Sequence, residues 1–267
     1  MFDSNMRTEA IPERVFSLCR ILKNGKLDEK DIRNMVEPKK DSTSYFSMVR
    51  DAAKQLGLIS YDEDTKQIEL VVGNEYISSY VDFRRMINRN IDRISNGQFY
   101  KTVQTYMYNS DSLFRIEKDL QNVSKLVGVI NEYNDSLNLN EENMRAWRFW
   151  ATFLGFGYLH DMFFLPNAAI FLEDSICNSN IERGKTYTMD EFIELLHPFI
   201  QVCLSQGEEN SRKMNLSLSN AFRTLHNLEI IKLKTVNDRS DEWNMTDMPL
   251  HQFPSVITDV VYIGEKV

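Results

Sequence analysis

Residues 45–72 read YFSMVRDAAKQLGLISYDEDTKQIELVV, and the period of their apolar residues changes part-way along. Tyr45, Val49, Ala52, Ala53 and Leu56 fall on one side of a helix. Gly57 follows, where a left-handed residue ends a helix at low cost. LGLISY and IELVV then have the composition of two short strands, and DEDTKQ between them is a turn-rich tip.

Before this stretch, Pro12 stands where a first-turn proline is tolerated, and Val15, Leu18, Cys19 and Leu22 recur at helical spacing. Asn24-Gly25 breaks that helix. LDEKDIRNMV supplies a second one with Ile32, Met35 and Val36 inward, stopped before Pro38. Three short helices closed by a two-stranded ribbon form the winged-helix variant of the helix-turn-helix.

The same order returns towards the other end. Thr188 and Glu191 have capping-box spacing, and Phe192, Leu195, Leu196, Phe199, Ile200 and Cys203 form an apolar stripe. After the break SQGEENSRK, Leu218, Ala221, Phe222, Leu225 and Leu228 line the next helix. IIKLKTV, the tip NDRSDE and WNMTD are the expected second ribbon. Moving the first module forward by 172 positions lays Phe46, Val49, Ala53 and Leu56 on Leu218, Ala221, Leu225 and Leu228, with LGLIS over LEIIK.

Between the modules, helices are expected over 75–94, 98–108, 112 to about 134, and 140 to about 158, the last capped by Asn140. The aromatic run WRFWATFLGFGYLHDMFFLPNAAIFL must meet another apolar surface, as a core helix and its continuation. The expected fold is thus mainly α with small β-ribbons. Two winged-helix modules, 1–73 and 186–267, flank a helical middle domain, 74–185.

The net charge of -8 opposes simple duplex binding, which depends on neutralising phosphates. Residues 1–72 carry 12 basic against 13 acidic groups, 73–110 carry 5 against 3, 111–185 carry 7 against 11, and 186–267 carry 7 against 12. Only the first module and the helix after it are placed to show a basic face. On the first module that face is Ser47, Arg50, Asp51 and Lys54, preceded by Lys39 and Lys40. On the second it is Asn220, Arg223, Thr224 and Asn227, four groups able to hydrogen-bond base edges or phosphates. Arg85, Arg89 and Arg93 recur every four residues and would make one stripe on a single helix. Both ribbon tips, Asp62 to Asp64 and Asp238 to Glu242, are acidic and repel phosphate.

No phosphate-loop, dinucleotide, HExxH or GxSxG motif occurs, and His160, His197, His226 and His251 lack metal-ligand spacing. No catalysis, cofactor or metal is expected. Cys19, Cys177 and Cys203 form no CxxC pair, and no apolar leader or membrane span is apparent, which suits a reducing cytoplasm.

With both modules and the block WRFWATFLGFGYLHDMFFLPNAAIFLEDSI, the chain resembles the DpdG-like two-winged-helix accessory proteins of prokaryotic antiphage and DNA-modification islands. The resemblance implies a non-catalytic subunit that holds partner proteins of a larger complex, or double-stranded DNA, and it carries over no catalytic residues. Two other readings stay open at this point: a pure protein-interaction scaffold, and a ligand-responsive regulator whose middle helices enclose a small molecule. Pairing of two copies is also compatible with the sequence.

Overall fold

The computed structural model describes residues 2–3, 6–37, 45–120, 123–160, 163–204, 211–248, 253 and 255–264. They form two compact units, residues 1–101 with 137–153, and residues 102–136 with 154–267. Segment 74–185, read from sequence as one domain, is thus shared between them. The described residues are mainly helical, with small antiparallel sheets.

In the first unit, α1 (Pro12–Ile21) buries Val15, Leu18 and Cys19. Strand β1 (Leu27–Asp28) runs straight into α2 (Glu29–Val36), because the Asp28 carboxylate accepts the Lys30 amide at 2.8 Å and caps the helix. Ile32 is buried on α2, but Met35, expected inward, is 61% exposed. An eight-residue helix turns only a narrow stripe to the core, and Met35 falls outside it.

Helix α3 (Tyr45–Gln55) buries Phe46, Val49, Ala52 and Ala53. The chain reverses at Leu56 and Gly57 into β2 (Ile59–Tyr61) and β3 (Gln67–Leu70). Strand β3 is central, pairing Ile68 with Tyr61 of β2 and with Leu27 of β1. The ribbon therefore has a third strand, two residues long and too short to leave a period in the sequence.

Helix α4 (Tyr80–Arg89) begins at Ser79, whose hydroxyl accepts the Asp82 amide at 3.0 Å. It ends at Asn90, and a 3-10 turn spans 91–94, so Arg93 is not on the helix of Arg85 and Arg89. Helix α5 (Gln98–Tyr108) passes into the second unit, which also takes α6 (Ser110–Leu120) and α7 (Val123–Tyr133).

Helix α8 (Glu141–Phe153) belongs to the first unit. Asn140 and Asn143 cap each other, each side-chain oxygen accepting the other's amide, at 2.9 and 3.1 Å. Trp147 and Trp150 are fully buried; the Trp150 indole donates to the Ala10 carbonyl at 2.7 Å, and its ring meets Phe2 edge-on. This helix stops short of Tyr158, its expected end.

The second unit continues in a hairpin of β4 (Gly157–His160) and β5 (Phe163–Pro166), where the sequence suggested a continuing helix. Gly155, at φ 85°, makes the turn into it, and a Cβ there would meet Ile170 at 2.6 Å. Helix α9 (Ala169–Asn178) follows. Strand β6 (Thr186–Thr188) then runs into α10 (Met189–Ile200) through the full Thr188–Glu191 capping box.

Helix α11 (Leu216–Asn227), capped by Asn215, leads to β7 (Ile231–Lys234). The partner of β7 is not WNMTD. Strand β8 (Trp243–Asn244) pairs with β9 (Val256–Ile257), and β10 (Asp259–Tyr262) lies between β6 and β7. Val260 and Val261 bring to that central position the β-branched side chains that suit a half-buried pleat. Leu228, expected inward, is 53% exposed.

The two units repeat one order of elements. In the first it is α1-β1-α2-α3-β2-β3 with strand order β1-β3-β2, and in the second α9-β6-α10-α11-β7-β10 with order β6-β10-β7, the β8–β9 pair being inserted between β7 and β10. The second copy therefore opens at α9, before the expected boundary at residue 186.

Candidate interaction faces

The apolar stripe of α3 leaves Ser47, Arg50, Asp51 and Lys54 on its outer side. Arg50 is already engaged. It pairs with Glu29 at 3.3 Å and Asp51 at 3.0 Å, lies 4.5 Å from the Tyr61 ring centre, and keeps 18% of its side chain exposed. Glu29 also accepts from the Tyr61 hydroxyl at 2.6 Å and from Arg33 at 3.3 Å. That bond pushes the Tyr61 hydroxyl pKa up, since losing its proton would set a second anion beside Glu29. Nothing in the spacing of Glu29 and Tyr61 marks them as partners of Arg50; β-pairing and the α2–α3 packing bring them together.

Asp51 and Lys54 are exposed. At the ribbon tip, Asp62 accepts the Asp64 and Thr65 amides at 2.9 and 3.0 Å, and the Thr65 bonds above all hold its carboxyl below the usual range. The tip is thus anionic. Lys39 and Lys40 lie outside the described residues.

On α4, Arg85 is half-buried and Arg89 exposed. Asp82 beside them accepts the Ser78 and Ser79 hydroxyls, each at 2.6 Å, and these bonds keep it ionised to lower pH than usual. Arg93 lies against Gly57 at the C-terminal end of α3, where a cation complements the helix dipole. The three arginines do not form one stripe.

The α11 face departs furthest from expectation. Asn220 donates to the Pro166 carbonyl at 3.0 Å, and Thr224 accepts from the Asn167 amide at 2.9 Å. The end of the β4–β5 hairpin therefore covers this face. Arg223, expected in solvent, is 2% exposed, and its guanidinium nitrogens have no hydrogen-bond partner. Burial pushes its pKa down, and the nearby charge of Asp247 acts the other way. Of the four residues expected on this face, only Asn227 is exposed.

The acidic tip after β7 is also tied down. Arg239 donates to Asp241 and, at 2.9 Å, to Asp259. Arg212 donates to the Ser240 carbonyl at 2.8 Å and to Asp190 at 2.8 Å, and Asp190 accepts the Trp243 indole at 2.7 Å.

Among the described residues, no group of three or more His, Cys, Asp or Glu is placed to hold a metal ion, and no helix is long and apolar enough to cross a membrane. Compared with known proteins, the chain matches no family model, no curated protein and no solved structure.

Proposed function

We propose that the chain is a non-catalytic adaptor of two winged-helix modules that binds partner proteins, as an accessory subunit of a larger DNA-modification or antiphage assembly. The repeated element order, with the strand before the second helix paired to the last strand, supports the winged-helix reading. The observation that carries the choice of protein over duplex is the state of the two recognition-position arginines. Arg50 is neutralised by Glu29 and Asp51, and Arg223 is buried. A helix that reads DNA needs both charge and access, and the acidic tip at Asp62 adds repulsion.

Anisotropy of a labelled duplex across salt concentrations tests this. The adaptor reading expects no complex even at about 50 mM salt; a complex that weakens steeply towards about 200 mM would overturn it.

Exposed Lys54, Arg89 and Arg93 favour a second reading, in which the first module rests on phosphates non-specifically. In that case Arg89→Glu and Lys54→Glu weaken the duplex complex, and Arg223→Glu does so only by unfolding the chain.

A further inference from the structure

The outer side of α1 has an order of its own. Glu13, Ser17 and Arg20 are exposed and Phe16 is half-buried, at the spacing that places all four on one side of a helix. The acid stands at one end and the base at the other, with the ring and the small hydroxyl between them. Neither Glu13 nor Arg20 is in an ion pair among the described residues, and the Arg20 guanidinium lies 5.8 Å from the Phe16 ring centre. The Ser17 hydroxyl donates to the Glu13 carbonyl at 2.7 Å, so covering it strands no donor.

This side of α1 continues into an aromatic surface of the first unit. The Phe16 ring meets Tyr80 edge-on at 5.4 Å, and Tyr80 lies 4.6 Å from Phe153. Phe149, one turn before Phe153 on α8, is 44% exposed, and Tyr80 is 36% exposed. Exposed aromatic side chains grouped in this way are what protein interfaces bury.

The order of charges on α1 matches a copy of itself. When two such helices lie antiparallel across a two-fold axis at the level between Phe16 and Ser17, position 13 faces position 20 and position 16 faces position 17. Each glutamate then meets an arginine, and each phenylalanine ring meets the space beside a serine, which lets the helices approach closely. We propose that a second copy of the chain docks on this face, α1 against α1, with Glu13 opposite Arg20 in both directions and Tyr80 and Phe149 extending the contact. The interface is confined to the first unit and does not rest on the adaptor reading.

Sedimentation velocity of the full chain between about 1 and 100 µM tests it, the range in which an interface of modest area assembles. The expected result is a monomer–dimer equilibrium. Glu13→Arg or Arg20→Glu alone sets like charges against each other on both sides of the axis and should raise the dissociation constant at least about tenfold. Glu13→Arg combined with Arg20→Glu exchanges the charges, restores both pairs and should bring the constant back to within about threefold of the parent. Recovery in the combined variant also shows that neither single change acts by unfolding the chain. The proposal is overturned if the parent is a monomer throughout, which leaves the face to an unlike protein, if neither single reversal weakens association, or if the combined variant stays as weak as the single ones.

Discussion

Gly57 and Glu229 hold the same left-handed backbone position, 172 residues apart, with φ of 67° and 59°. Each closes the helix before a strand through the same bonds. The Gly57 amide donates to the Lys54 carbonyl at 2.9 Å and that of Glu229 to His226 at 3.0 Å, and the next residue reaches back to Ala53 or Leu225. An L-residue pays for this conformation and glycine does not, so Glu229→Gly should stabilise the chain by about 1 kcal/mol and Gly57→Ala should destabilise it by about as much. The Cβ added at Gly57 only displaces the flexible end of Arg93. Urea midpoints check both; opposite signs would refute the equivalence.

Arg223→Met should raise stability. The substitution removes an unsatisfied buried guanidinium and fills similar space, a gain of about 1–3 kcal/mol. A urea midpoint that falls would mean that the guanidinium has a stabilising partner.

Thr188→Ala should cost about 1 kcal/mol, since Thr188 both caps α10 and ends β6. Glu191→Ala removes the reciprocal bond and should cost less. Equal stability of Thr188→Ala and the parent would contradict the capping box.

Acid should weaken the second unit through Asp241. The Arg239 guanidinium donates to it and holds its carboxyl below the ordinary aspartate range. A carboxylate with a depressed folded-state pKa contributes stability that is fully present above its unfolded value, about 3.9, and is lost as pH falls through the folded value. The gap in urea midpoint between the parent and Arg239→Leu should therefore be constant near neutrality and shrink below about pH 4. A gap that persists at pH 2 would rule this linkage out.

Much of the helical frame was legible without coordinates. Val49, Ala52, Ala53 and Leu56 are buried as their spacing implied, with Phe46 rather than the half-buried Tyr45 at the start of the stripe, and Leu218, Ala221, Phe222 and Leu225 are buried on α11. The 172-residue offset between α3 and α11 carries over to the turns that end them. The candidate site was less legible. Outer faces were inferred as whatever the stripe left over, and for α11 that remainder is covered by Pro166 and Asn167.

By itself, the sequence determined where α3, α11 and the first strand after each lie, because helical periodicity, and at Gly57 a left-handed cap, are written within a dozen neighbouring residues. Only the tertiary structure decided that β7 pairs with β10 rather than WNMTD, and that Arg223 leaves water while Lys54 stays in it. Strand partners and covering segments come from residues distant in the chain, and their burial energy leaves no mark on the local pattern of the helix they cover.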